Sequence, residues 1–347
     1  MSCSLNERLP KGRSLRYLSR RFAVLALTLW FAVTVNFALP RLMPGDPVQT
    51  KLATIPGISP LARRALERQF GLDTHQSIVG QYFSYLGQIL TGNLGRSFTY
   101  YPTTVSSMIR QSLPWTLGMV GFATLLAAAL GCSLGMVAAW RRGSAGGNRN
   151  ARLDTFLVPL GVMFGATPPF WLGTLLVYFV AFKLGWFPIG GSRTPGAAGG
   201  LSGTVDVLKH AVLPAFTLTL VSLGGWVLLM RNSMLTVLNE DFVKFARAKG
   251  LSNRTVAFRY AARNAILPVF TQFAMALGIV VGGQVFIEIV FSYQGIGYWL
   301  LQGVLNEDYP LMQGIFLIIT VTLLVANFLA DALYVLVDPR LRVEGGK

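Results

Sequence analysis

The sequence predicts an all-α integral membrane protein of six transmembrane helices, with a large extracytoplasmic loop after the first span and a long cytoplasmic loop between the fourth and fifth. Three observations carry that expectation. Of 347 residues, 53% are hydrophobic and only 13% charged, where a soluble domain carries about a quarter charged residues. The apolar residues gather in runs of about 18 or more, the length that a hydrocarbon slab about 30 Å thick demands of a spanning helix. The 30 Lys and Arg sit between those runs. A soluble enzyme is excluded, and the +16 formal charge reads as membrane topology rather than nucleic-acid binding.

Residues 1–21 form a basic N-terminus and 22–39 the first span. Arg20 and Arg21 before an apolar run imitate a signal peptide, yet the run is too long and ends in Ala38, Leu39 and Pro40 without a small-x-small cleavage site. It is read as an uncleaved span. Cys3 has no apolar stretch before it, which argues against a lipoprotein anchor. The segment 40–114 follows outside. Pro44, Gly45, Asp46 and Pro47 stop the first helix, 61–70 and 78–90 have helix-like apolar spacing, and Gly92, Asn93, Leu94 and Gly95 break it. This segment reads either as a cap on the mouth of the bundle or as a docking surface for an extracytoplasmic partner.

The transmembrane core covers 115–337, with spans expected near 115–140, 156–182, 212–230, 269–291 and 312–337 and a cytoplasmic tail at 338–347. Backbone groups in lipid must be bonded within their own segment, so the spans are helices. Pro168 and Pro169 interrupt the third, and Gly278 and Gly282 give the fifth a small-residue face for close helix approach. The outer loop 183–211, with Gly190, Gly191, Gly196, Gly199 and Gly200 beside Pro188 and Pro195, reads as irregular and mobile.

Orientation follows from the basic residues. With the N-terminus inside, the inner segments hold 20 Lys and Arg in 84 residues and the outer segments 10 in 124. That asymmetry predicts both termini in the cytoplasm.

The inner loop 231–268 is longer than a turn needs. Asn239 is placed to cap a helix, Glu240 and Asp241 suit its N-terminal dipole, Lys249 suits the other end, and Gly250 closes it. Phe242, Phe245, Ala246 and Lys249 fall at helical spacing as one narrow apolar stripe. Ser252 begins a second short helix with Phe258, Ala261, Ala262 and Ala265 on one side. The residues alone leave two readings open, helices lying on lipid or a protein-docking element.

From about residue 20 to 342 the chain resembles the permease subunits of ABC importers of the dipeptide/oligopeptide branch. The resemblance rests on 42–48 (LMPGDPV), 92–97 (GNLGRS), 169–173 (PFWLG), 241–251 (DFVKFARAKGL), 263–268 (RNAILP), 291–297 (FSYQGIG) and 338–340 (DPR), all in order. It implies that the inner loop is a coupling segment fitting a groove on a cytoplasmic ATPase, through Phe242, Phe245, Ala246, Ala248, Lys249, Gly250 and Leu251. The generic permease motif places its glycine thirteen positions before its proline. Here Gly250 precedes Pro268 by eighteen, and Lys244, Phe245 and Ala246 stand where Glu-Ala-Ala is usual. A second homologous permease, two ATPase subunits carrying ATP and Mg, and an extracytoplasmic substrate-binding protein are the implied partners, in a bacterial or archaeal inner membrane. Peptides are the family's default substrate. The stretches 113–126, 221–234 and 311–320 also resemble members of the branch that import oligosaccharides such as cello-oligosaccharides.

No phosphate-binding loop occurs in the sequence, Cys3 and Cys132 give no disulfide framework, and His75 and His210 give no metal cluster. No catalytic residue, cofactor or metal is expected on this chain. Two carboxylates, Glu288 and Asp331, fall within the expected spans. Such groups serve either as relays of an ion-gradient-driven transporter or as partners of polar loop groups, and their distance from the membrane midplane favours the second.

Overall fold

The computed structural model describes residues 11–42, 77–143, 152–197, 199–280 and 284–337. Among them the chain is helical, apart from a single antiparallel bridge between Arg96 and Thr104. The helices are α1 (Lys11–Leu42), α2 (Ile78–Leu90), α3 (Val105–Gly143), α4 (Arg152–Ala166) and α5 (Pro169–Leu176), which runs on as a π-helix over Val177–Lys183. Next come α6 (Leu201–Leu238), α7 (Asp241–Ala248) and α8 (Arg263–Ile279), the last entered through Asn253–Thr255 and a π-helical segment, Val256–Ala262. The chain closes with α9 (Val285–Val290), α10 (Ile296–Leu305) and α11 (Tyr309–Val337).

Four described helices are long and apolar enough to cross a membrane, over Phe22–Leu39, Val105–Arg142, Leu201–Leu238 and Tyr309–Phe328. A bent pair, Asp154–Ala166 with Pro169–Lys183, counts as a fifth. Its 95° bend has the cause expected from sequence. A residue before proline is pushed out of the α region, and Pro168, which precedes Pro169, is extended at ψ 127°. The expected span 269–291 is divided: α8 ends at Ile279 and α9 begins at Val285, with 281–283, and so Gly282, outside the described residues. Both α3 and α6 outrun the expected 115–140 and 212–230, because their N-terminal turns carry polar residues such as Ser106, Arg110, Asp206 and Lys209 that an apolar-run reading leaves out.

The bundle is organised around α6, which packs along α3 and α4. In lipid, helices gain little from burying apolar surface against each other, so close approach through small residues becomes the main source of packing. A Cβ on Gly224 of α6 would overlap the Gly161 carbonyl of α4, and one on Gly131 or Gly135 of α3 would overlap the stretch Trp226–Val227 of α6. Gly278 brings α8 equally close to α11, where its Cβ would lie 2.6 Å from that of Ala326. Around these contacts sit three apolar clusters. The inner one joins Ala127, Ala139, Trp226, Met230 and Met234 to Val243, Val256 and Ala265. The second joins Met119, Ala123, Leu213, Leu218, Ile287 and Phe291, and the third Val105, Ile109, Ile296, Leu311 and Ile315.

The helix expected over 78–90 is present as α2, with the Gly80 amide donating to Ser77 Oγ at 3.2 Å. The expected turn at Pro44–Pro47 and the helix over 61–70 lie outside the described residues. The expected loop 183–211 is shorter than its bounds, because α6 already begins at Leu201. Its irregular part is held at two places, where the Gly191 amide donates to the Phe291 carbonyl at 2.8 Å and the Thr194 amide and hydroxyl both donate to Asp206 of α6 at 2.7 Å. Glycine and proline composition reports the irregular backbone but carries no information about these long-range bonds.

The close approach of α6 to α4 gives a paired test. Gly224→Ala forces backbone apart and should cost about 1–3 kcal/mol, seen as a lower thermal midpoint of the purified chain. The neighbouring Gly225 has open space at its Cβ, so Gly225→Ala should leave the midpoint unchanged or raise it. Equal midpoints for the two variants would contradict the packing.

Candidate functional site

The segment between α6 and α8 is the first candidate. α6 stops at Asn239, whose side chain donates back to the Leu235 carbonyl at 3.2 Å, so Asn239 closes one helix instead of opening the next. The N-cap of α7 is Glu240, extended at ψ 148° and without a side-chain cap bond. Asp241 occupies the first turn and pairs with Lys244 at 2.9 Å, and the Lys244 ammonium holds its carboxyl below the usual range. Gly250 terminates the helix at φ +74°, the left-handed conformation a β-branched residue resists. Ser252 then accepts from the Thr255 amide at 3.3 Å and opens the second short helix, as its position suggested.

The expected apolar stripe divides between two faces. Val243 and Ala246 are buried in the inner cluster, whereas Phe242 is 41% and Phe245 62% exposed. Helical spacing in the sequence groups Phe242, Phe245, Ala246 and Lys249, yet the inward anchor is Val243, and its partner three residues on is Ala246. Ala246 therefore holds α7 to the bundle, and the two phenylalanines point away from it. Lys249 stands over the Phe245 ring at 4.7 Å, Ala248 and Gly250 are exposed, and Leu251 is half-buried against the inner cluster. Phe258 is likewise exposed while Ala261 and Ala265 are buried. A π-helical turn takes more residues than an α-turn, so the register assumed for that stripe shifts. The whole segment thus exposes Phe242, Phe245 and Phe258 among Lys244, Lys249, Arg254 and Arg259.

Glu288 is the second candidate and is 1% exposed. Its Oε1 accepts from the Thr116 hydroxyl at 2.7 Å, and its Oε2 accepts from the amides of Gly297 at 2.7 Å and Tyr298 at 3.2 Å. Thr116 Oγ1 in turn accepts from the Ile296 amide at 2.8 Å. The first three amides of α10 are thereby satisfied by side chains from α9 and α3, a cap supplied across the fold. This ties the 291–297 stretch to the N-terminal third of α3. Asp331 falls on the inner part of α11, and its side chain lies outside what the structure describes.

Two further carboxylates, missed in the sequence, act alike. Asp308 is fully buried, accepts from the Ser97 hydroxyl and from the amides of Thr99 at 3.0 Å and Leu311 at 3.3 Å, and so joins the 92–97 stretch to the start of α11. Its signal was present: an Asp two residues before Pro310 is an N-cap pattern. Asp154 accepts from Arg142 Nη1 at 2.7 Å and from Arg231 through Nε and Nη2, the latter at 2.7 Å, which ties α3, α4 and α6 together. These arginines had been counted only as topology. Among the described residues no three His, Cys, Asp or Glu side chains cluster as metal ligands, and His210 on α6 instead contacts the Asp206 carbonyl at 2.8 Å.

Comparison with known proteins matches residues 131–343 to the family described as binding-protein-dependent transport system inner membrane component. The di/tripeptide transport system permease protein of Pseudomonas aeruginosa is 35% identical over 94% of this chain and 99% of its own length. The oligopeptide transport system permease protein of Bacillus subtilis is 33% identical over 94% of this chain and 98% of its own. The dipeptide transport system permease protein of Escherichia coli is 32% identical over 94% and 99%. Among solved structures, an inward-facing form of the MetNI methionine ABC transporter shares the fold at a TM-score of 0.54 and 15% identity, covering 67% of this chain and 96% of that one.

The cap at α10 yields a graded expectation. Glu288→Ala leaves buried amides without acceptors, a loss of about 1–3 kcal/mol for each, whereas Glu288→Gln retains an acceptor. Thermal unfolding of the purified chain in detergent should rank wild type above Glu288→Gln above Glu288→Ala. An Ala variant as stable as wild type would show that the carboxylate does not hold α10.

Proposed function

The chain belongs to the family of binding-protein-dependent transport system inner membrane components, and from that membership we propose that it forms half of the translocation pathway for di- and oligopeptides in an ATP-driven importer. It is a membrane permease subunit and not an enzyme; ATP is hydrolysed on separate subunits. The observation that carries the peptide reading is the run of relatives named for peptide transport, at 32–35% identity over almost their whole length. They favour it over the oligosaccharide and ion-gradient alternatives. Both oxygens of Glu288 are already occupied by donors, which also weighs against a proton relay there.

In this reading both termini lie in the cytoplasm, and α8 with α9 forms the sixth crossing alongside the five apolar spans. The basic-residue asymmetry supports that orientation. A second homologous permease completes the pathway, two ATPase subunits hold ATP and Mg, and an extracytoplasmic binding protein delivers substrate. α7 is the coupling helix. Phe242 and Phe245 enter an ATPase groove, Val243 and Ala246 fasten α7 to α6 and α8, and Lys249, Gly250, Ala248 and Leu251 shape its end. Closure of the ATPases then moves α6 and α8 through this attachment. Each step on this chain is mechanical: it binds, positions and moves, and makes no covalent bond.

Transport is tested with labelled dipeptide and proteoliposomes containing the full assembly. Uptake should require ATP and the binding protein. Uptake of cello-oligosaccharide but not peptide, or uptake driven by an ion gradient alone, would overturn the proposal.

Coupling is tested by substitution at the exposed ring. Phe245→Glu should remove a docking contact worth about 1–3 kcal/mol and weaken ATPase co-purification about tenfold or more, with the permease level unchanged. Ala246→Glu differs, because it buries a charge in the inner cluster and should lower the level of the permease itself. Full ATPase recovery with Phe245→Glu would remove the coupling assignment.

Orientation is tested with cysteines at Ser252 and Ser202, both exposed. In intact cells a membrane-impermeant thiol reagent should label Ser202→Cys and spare Ser252→Cys. Labelling at 252 from outside would contradict the topology.

A further inference from the structure

The exposed face of α2 has the wrong polarity for water. Over its 13 residues, Ile78–Leu90, the helix carries no charged side chain. Val79 is 64%, Phe83 66% and Leu90 87% exposed, and they follow helical spacing along one outward stripe. Ser84 and Gln88 are exposed beside it, and the two tyrosine hydroxyls turn inward. Tyr82 Oη lies 2.8 Å from Thr34 Oγ1, and Tyr85 Oη accepts from Asn36 Nδ2 at 3.1 Å. Both rings pack on Phe37, at 5.2 and 5.5 Å between centroids. A helix on an aqueous surface shows the opposite arrangement.

The neighbour of α2 identifies what covers the stripe. The span Phe22–Leu39 of α1 is only 17% buried against the rest of the chain, and its flanks, including Val35 and Leu39, are exposed apolar surface. The described contacts of α2 with α1 fall on Thr34, Asn36 and Phe37, at the outer end of that span. Asn36 also donates to the Gln313 carbonyl at 2.8 Å while Gln313 donates back to the Asn36 carbonyl at 3.0 Å, which fastens this corner to α11. The exposed apolar stripe of α2 thus lies beside the end of an apolar span whose own flanks are uncovered. At 1.5 Å per residue the helix is about 20 Å long, too short to cross the bilayer and suited to lying in its interface.

We propose that α2 is an interfacial membrane helix, with Val79, Phe83 and Leu90 inserted among the acyl chains of the leaflet that borders the outer end of α1. The segment 40–114 is then anchored in lipid through α2, and this face is neither a water-bathed cap nor a protein-docking surface. The inference depends on the membrane location alone and stands apart from the substrate and coupling proposals.

The test uses the full chain assembled with its partner subunits in phosphatidylethanolamine–phosphatidylglycerol nanodiscs, with Cys3 and Cys132 replaced by Ser. A nitroxide is attached in turn at Val79→Cys, Phe83→Cys and Leu90→Cys, with the exposed Ser202→Cys as the aqueous reference. Collision with oxygen should exceed collision with a water-soluble nickel chelate several-fold at the three α2 sites, and the order should reverse at 202. Bimane at the same positions should be quenched by brominated lipid. Chelate access at 83 equal to that at 202 would overturn the proposal in favour of water. Loss of access to both agents would overturn it in favour of a protein cover. The three independent positions keep the outcome readable if one variant fails to assemble.

Discussion

The fold depends on backbone-to-backbone contact between α6 and its neighbours. Where helices lie among lipid chains, burying one leucine against another gains little over leaving it in the bilayer, so shape decides which helices associate. Gly161 and Gly224 let α4 and α6 meet without intervening side chains, and Gly131 and Gly135 do the same for α3. α6 is also the helix that leads into α7. Because Val243 and Ala246 are buried in the cluster that contains Trp226, Met230 and Met234, α7 is fixed to the same stretch of α6 that packs on α3.

The second organising element is carboxylates placed at helix ends. Unsatisfied amides and buried charges are both costly away from water; Glu288 and Asp308 answer the first cost with backbone amides, and Asp154 answers the second with two arginines. Glu288 supplies acceptors to the start of α10, Asp308 to the start of α11, and Asp154 gathers two arginines at the start of α4. All three join elements distant in sequence. The stretches 92–97 and 291–297, two of those that carry the family resemblance, are where these anchors take hold: Ser97 meets Asp308, and Gly297 meets Glu288.

Much of this architecture was legible in the sequence, and what was not has specific causes. Apolar runs located the first, second, third, fourth and sixth spans because hydropathy acts over whole segments, and Pro168–Pro169 marked the 95° bend because proline restricts its own neighbourhood. Gly250 and Ser252 announced their turns for the same local reason. The faces of α7 were harder to read. Its length, eight residues, leaves periodicity too few points to separate a buried Val243–Ala246 side from an exposed Phe242–Phe245 side. Long-range pairs were not readable at all: nothing near Thr116 in the sequence points to Glu288, and nothing in a glycine-rich loop points to the Phe291 carbonyl that pins it.

If α7 is the input lever of a transporter, it must move with α6 as one body. Spin labels at the exposed Lys244 on α7 and at Val205 near the start of α6, measured by pulsed dipolar spectroscopy in the assembled complex, test this directly. The distance within this chain should stay constant between the nucleotide-free and ATP-bound states, while the distance from Lys244 to the matching loop of the second permease changes. A change within the chain as large as that between the two permeases would show that α7 moves independently of α6.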